Sequence, residues 1–335
     1  MKAGKWLIGT LCMLAAIWAH AQTEVRLAVH DSFALPKNVL AGFEQQNQVK
    51  LTLIKVGSGN EMLNKLILTR GKPIADAVYG LDNSNISKAQ QYQLFATTQP
   101  ASRAVNVDLP QALAIDYGYI TINYDKSWFQ KHKKPLPRSL EDLASPAYKD
   151  LLVMPSPATS TVGLGFLLAN IGGLGEQATW QWWAKMRQNG VKVTKGWSEA
   201  YYTDFTLNGG SRPLVVSYAS SPVAEVYYGK GKYTTPPTGD LRFKGAVFRQ
   251  IEGAAVLNHA SQPALAAKLV QYLQSNQVQS AIPTSMWVYP AVKGVSLPPV
   301  YAHISIPTKV VQPTMADMAA KQQSWVKQWV KVVQR

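Results

Sequence analysis

Val49–Asn60, V-K-L-T-L-I-K-V-G-S-G-N, decides the fold class. Its first eight residues are β-rich and alternate, so they predict a strand. Gly57-Ser58-Gly59-Asn60 breaks that strand and opens a helix carrying Met62, Leu63, Leu66 and Leu68. A glycine-rich turn between strand and helix brings backbone N–H groups toward a ligand. The turn lacks the Lys-Ser/Thr of a P-loop and the G-x-G-x-x-G spacing, which argues against a nucleotide. The same unit flanks it on both sides. Glu24–Val29 is a short strand ending in His30-Asp31-Ser32-Phe33, followed by a helix from Pro36 to about Gln46. Ala75–Leu81 is a third strand ending in Asp82-Asn83-Ser84. Three such units predict an α/β fold with a mostly parallel sheet. In such sheets ligands sit beyond the carboxyl ends of the strands, so these three turns are expected on one edge.

Farther along, two long β-rich runs, Leu113–Tyr124 and Gly245–Leu257, predict strands that cross between two lobes. Between them lie a helix from about Val162 to Ile171, with Ser160 or Thr161 as N-cap, and a helix over Gly175–Arg187. Trp180, Trp183 and Met186 share one face of the latter and are expected in the core. Ala281–Pro290 is expected as a proline-bracketed loop exposing Trp287 and Tyr289, and Met315–Val333 as a final helix. Two α/β lobes joined by two crossing strands make a clamp that closes on a small ligand.

The N-terminus carries Lys2 and Lys5, an uncharged apolar run from Trp6 to Ala19, and the A-x-A signature Ala19-His20-Ala21. It predicts a cleaved signal peptide over residues 1–21 and a periplasmic protein. Cys12, the single cysteine, falls in that segment, so no disulfide is expected. Removing Lys2 and Lys5 lowers the formal charge from +15 to +13. The basic residues are scattered rather than striped with aromatics, which predicts a solvated surface and no nucleic-acid partner.

Val193–Tyr228 holds the densest candidate site. Trp197 follows a glycine among Lys195, Ser198 and Glu199, and the apolar Leu214–Val216 run opens into Ser217-Tyr218-Ala219-Ser220-Ser221-Pro222. Hydroxyls beside aromatic faces suit a flat polar ligand, though Trp197 and Tyr218 could equally cap a core edge. No H-E-x-x-H or G-x-S-x-G pattern occurs, so no enzyme is expected. The tandem pairs Tyr201-Tyr202 and Tyr227-Tyr228 leave a ferric-ion receptor open as an alternative, with His30 as a further ligand.

Taken in order, several stretches resemble the periplasmic thiamine-binding proteins of bacterial ABC importers. They are D-S-F at Asp31–Phe33, M-L-N-K-L at Met62–Leu66, G-L-D-N at Gly80–Asn83 and D-Y-G-Y at Asp116–Tyr119. T-S-T-x-G-L-G at Thr159–Gly165, V-T-K-G-W-S-E-A-Y at Val193–Tyr201, S-Y-x-x-S-P at Ser217–Pro222 and I-P-T-x-x-W-x-Y-P at Ile282–Pro290 continue the series. The resemblance implies a two-lobed type II periplasmic-binding-protein fold, with residues 22–118 and 256–335 in the first lobe and 119–255 in the second. It implies thiamine or a thiamine phosphate in the cleft, an inner-membrane ABC permease as partner, a monomer, and neither a cofactor nor a metal. By matching positions, Ser58 and Gly59 belong to the first-lobe wall, and Ser160 and Thr161 to a helix start. Trp197, Tyr218, Ala219, Ser220 and Ser221 belong to the second-lobe wall, with Trp287 stacking from its loop and His30 as a further candidate contact. Three positions depart from the resembled pattern. His30 and Ala224 stand where that pattern has tyrosines, and Ser58 where it has an acid. A pyrimidine precursor or related heterocycle is therefore a further candidate ligand.

Overall fold

The computed structural model describes residues 22–334, so the expected signal peptide lies outside the described residues. The strands are β1 (Glu24–Val29), β2 (Lys50–Lys55), β3 (Ala77–Asp82), β4 (Leu113–Asp125) and β5 (Leu152–Pro155). They continue with β6 (Lys192–Thr194), β7 (Leu214–Tyr218), β8 (Thr238–Leu241), β9 (Phe248–Val256) and β10 (Tyr289–Pro290). They form one sheet in the order β2-β1-β3-β9-β4-β7-β5-β6, with β8 and β10 added to β4. At each end the strands pair in parallel, β1 with β2 and β3, and β5 with β6 and β7. Through the middle β4 and β9 pair antiparallel, with each other and with β3, β7, β8 and β10.

Those two strands tie the lobes together. The first part of β4 pairs with β9, and its last part, Ile120–Tyr124, pairs with β7. In turn β9 pairs through Glu252–Val256 with β3. Two bulges interrupt this central register, between Tyr79 and Leu81 on β3 and between Ala114 and Asp116 on β4. Bulges re-aim side chains, and both of these fall beside Glu252. At the first, Gly80 adopts φ +103°, and a Cβ there would lie 2.4 Å from the His30 ring. The bulge thus needs glycine so that His30 can lie against the strand.

Each lobe has its own core. The first packs β1, β3 and the carboxyl half of β9 between two helical layers. One layer contributes Phe43, Leu269 and Leu273, and the other Met62, Leu63 and Leu66. Leu68, at the end of the same helix, is exposed because it lies on the face away from Met62, Leu63 and Leu66. The second lobe wraps Phe166, Trp182, Trp183 and Met186 around the nearly all-buried helix Thr161–Leu174. Trp182, not Trp180, takes the buried place beside Trp183, and its Nε1 donates to the Leu140 carbonyl at 2.6 Å. The last helix, Met315–Val333, also packs here, burying Trp325 and Trp329 against this core. Residues 256–335 therefore do not all stay with the first lobe, because the two tryptophans find their apolar partners on the second. The chain returns along the segment near Val311-Gln312, whose backbone lies against Gly172.

Candidate functional site

A cavity of about 800 Å³ opens between the lobes. Its first-lobe wall is made by the turns that follow β1 and β2, as the strand-end rule predicts, whereas the third expected turn, Asp82-Asn83-Ser84, is buried and does not line it. His30, Asp31 and Ser32 come from one turn, and Ser58, Gly59 and Glu61 from the other. Asp31 braces the pair, accepting from the Gly57 N–H at 3.1 Å. The lobes touch at this rim. Ser58 Oγ donates to the Thr159 carbonyl, and Asn60 Nδ2 reaches the Pro157 carbonyl at 3.3 Å. A Cβ at Gly59 would come within 2.6 Å of the Thr161 methyl, so only glycine permits this approach. Lys195 Nζ lies 3.1 Å from Glu61 Oε1 across the gap. The Ser58 N–H and then Lys195 hold the Glu61 carboxyl below its ordinary value. The cleft is closed along one side.

The second-lobe wall is aromatic. Trp197 begins a single helical turn after β6, stacks on Tyr201 at 5.2 Å, and meets Tyr202 edge-on. Its Nε1 donates to Ser217 Oγ at 2.8 Å, and Ser217 in turn contacts Ser221 Oγ at 2.9 Å. This hydroxyl chain fixes the indole plane, so Trp197 is held as a platform rather than left to rotate. Tyr218, at the end of β7, donates to Gln250 Oε1 at 2.8 Å. Ser160 and Thr161 sit at the start of the Thr161–Leu174 helix, which has no side-chain cap. Its first N–H groups are therefore free to meet an anionic or hydroxyl group.

Trp287 closes the cavity opposite. It sits at φ +57°, just after the Asn276–Ser285 helix, and its Nε1 donates to Tyr228 Oη at 3.1 Å. The expected loop is shorter than the sequence suggests, since residues 281–285 finish that helix around Pro283. Tyr289 is not exposed. It is buried on β10, stacked against Tyr117.

Ser58, Gly59, Ser160, Thr161, Trp197, Tyr218, Ser221, Trp287 and His30 all line the cavity, whereas Ala219 and Ser220 do not. Ala219 is buried against Tyr119, Val223 and Tyr289. Ser220 is also buried, and its hydroxyl donates to the Trp287 carbonyl. Both sit on the far side of the β7–helix turn and hold the site from behind. Of the tandem tyrosines, Tyr201 is buried and donates to Glu225. Of the second pair only Tyr228 lines the cavity, and its oxygen already accepts from Trp287. The described residues contain no cluster of three or more His, Cys, Asp or Glu side chains able to hold a metal.

Two carboxyl groups on the cavity were not foreseen. Glu225, beside Ala224, is pushed up to about 7 by burial, although Thr238 and Tyr201 donate to it. Glu252 lies on the floor, with His30 Nε2 at 3.8 Å. The alternation Q-I-E at Gln250–Glu252 was its signal, placing two polar residues on one face of an otherwise apolar central strand.

Residues 72–316 match the family model of the bacterial extracellular solute-binding proteins. The thiamine-binding periplasmic protein of Salmonella typhimurium is 35% identical over 97% of this chain and 98% of its own. A solved structure of a periplasmic thiamin binding protein superposes with a TM-score of 0.84 at 33% identity, covering 95% of this chain and 98% of that one. Iron-bound HitA from Pseudomonas aeruginosa shares the fold at a TM-score of 0.69 and 18% identity, over 92% and 99% of the two chains. The lobes, the crossing strands and these likenesses agree: the chain belongs to the bacterial extracellular solute-binding protein family, whose members bind solutes rather than transform them.

Proposed function

We propose that the protein is a periplasmic receptor that captures thiamine or a thiamine phosphate between its lobes and hands it to an inner-membrane ABC permease. One observation carries this reading. A single cleft combines braced aromatic faces, Trp197, Tyr218 and Trp287, with a carboxylate floor at Glu252. Thiamine joins a flat aminopyrimidine to a cationic thiazolium. Flat rings stack on such faces, and a cation over an aromatic ring gains about 0.5–2 kcal/mol. The names of the relatives support the same ligand. The free N–H groups at Ser160–Thr161 are the natural place for the hydroxyethyl or phosphate end. His30, Ser58 and Ala224 narrow the first-lobe acid supply and open the ring slot, which bears on which thiamine form is preferred.

Ligand contacts to both lobes would shift the population toward the closed form. The chain acts as a monomer in this reading, exported by its N-terminal signal. The test is calorimetry of refolded, ligand-free protein with thiamine, its mono- and diphosphate, and hydroxymethylpyrimidine. One of the three thiamine forms is expected to bind at one site per chain. Heat from hydroxymethylpyrimidine alone would move the ligand to the pyrimidine precursor, and no heat from any of the four would end the thiamine reading.

A further inference from the structure

Three carboxyl groups stand side by side across the centre of the sheet. Asp82 on β3 and Asp116 on β4 are both register partners of Glu252 on β9. Directly opposed residues on neighbouring strands point the same way, with Cβ atoms about 5 Å apart, and like charges so placed repel. The outer two are served by donors. Asp82 accepts from Ser84 Oγ at 2.5 Å and from Gln250 Nε2 at 2.6 Å, and Asp116 accepts from Tyr79. The central one is not. Glu252 is left with Gln250 Nε2 at 3.5 Å, the His30 ring at 3.8 Å and the neighbouring Asp116 carboxyl, and it is the member of the row that reaches the cavity. Asp116 is buried, and its Oδ1 has no partner among the described residues.

The groups facing Glu252 are His30 from the turn after β1, Tyr79 and Asp82 from β3, Asp116 from β4 and Tyr218 from β7. No lysine or arginine is among them. Buried carboxylates without a counter-charge are costly, and they hold protons until one arrives.

We propose that Glu252 is the residue that meets the ligand's positive charge, and that Asp82 and Asp116 beside it release a proton when the cation binds. This rests on the thiamine reading above and adds a specificity-determining residue to it. Burial and then the Glu252 charge raise Asp116 well above the usual carboxylate range, and burial lifts Asp82 to about 6. Asp116, and in part Asp82, therefore holds a proton near neutral pH. A cation beside Glu252 stabilises the charged forms, so those protons are lost on binding. It also accounts for a serine at position 58 in a receptor for a cation, since the floor of the cleft supplies the negative charge.

The test compares thiamine with 3-deazathiamine, in which a neutral thiophene replaces the thiazolium, on wild type and Glu252→Gln. Thiamine is expected to lose about tenfold in affinity in the variant, as for a lost hydrogen-bonded charge contact, while the neutral analogue changes by less than about twofold. Calorimetry of the unmodified protein at pH 7, in two buffers of different ionisation enthalpy, is expected to show proton release with thiamine and none with the analogue. Equal losses for both ligands, or no proton release with thiamine, would overturn the inference and leave the thiamine reading standing. A wild type that binds neither ligand would remove both.

Discussion

The two walls of the cleft are built on opposite plans. The second-lobe wall is a braced aromatic surface, with Trp197 locked between Tyr201 and the Ser217–Ser221 hydroxyl pair. The first-lobe wall is made of short polar turns, His30–Ser32 and Ser58–Glu61, laid over the carboxylate row. Aromatic faces thus lie mainly on one wall, and the carboxylate floor at Glu252 on the other. A ligand that is both flat and cationic gains from both walls only when they close on it, which couples affinity to closure. Two of the three departures from the resembled pattern, His30 and Ser58, fall on the polar wall. The aromatic wall departs only at Ala224.

Substitutions on the two walls separate their contributions. The largest effect is expected from Glu225, on the aromatic side. Its carboxyl moves from an ordinary value of 4.5 to about 7 in the folded protein, so the folded state binds more protons than the unfolded one between those values. Stability therefore falls as pH rises through that window and is flat above it, by about 3 kcal/mol. Glu225→Gln should remove most of this slope in denaturant titrations at pH 5 and pH 8. An unchanged slope would show that the carboxyl is not held neutral by burial.

Next come the platforms. Trp197→Ala should weaken thiamine binding about thirtyfold, since it removes both a cation–π face and the bond to Ser217. Trp287→Ala should cost about tenfold, since its Nε1 bond to Tyr228 is solvent-exposed and adds little to the loss of the face. Equal or absent effects in calorimetry would contradict the asymmetry between them. The smallest change belongs to the rim. Lys195 and Glu61 are largely solvated, so Lys195→Ala should alter affinity by less than about fivefold. That difference should shrink as salt is raised, because the pair is screened. A larger, salt-independent loss would mean that the rim contact, not the ligand, governs closure.

Much of this architecture was legible from local pattern. The β4 and β9 runs are long and rich in β-branched and aromatic residues, which marks them as strands. The strand-end turns carry glycine and small polar residues because the backbone turns sharply there. Trp197 and Tyr218 announced themselves by sitting among polar neighbours. What stayed hidden depends on contacts distant in sequence. Glu252 sits inside a central strand, and only the bulges on β3 and β4 bring Asp82 and Asp116 beside it. Ala219 and Ser220 share a loop with Tyr218 and Ser221, yet the turn into the Ser221–Tyr228 helix points them away from the cavity. Tyr289 looked like a loop residue until β10 paired with β4 and buried it. The last helix carries Trp325 and Trp329 on one face, and nothing local says which lobe they will cover.

The proposed function requires that one ligand be held by both walls at once. A crystal structure of the refolded protein with thiamine, at a concentration that saturates it in calorimetry, tests this most directly. Density is expected for one molecule in the cleft, in contact with Trp197 or Trp287 on its ring faces and with Glu252 beneath its charged ring. Density confined to one lobe, or lying outside the cleft, would contradict it.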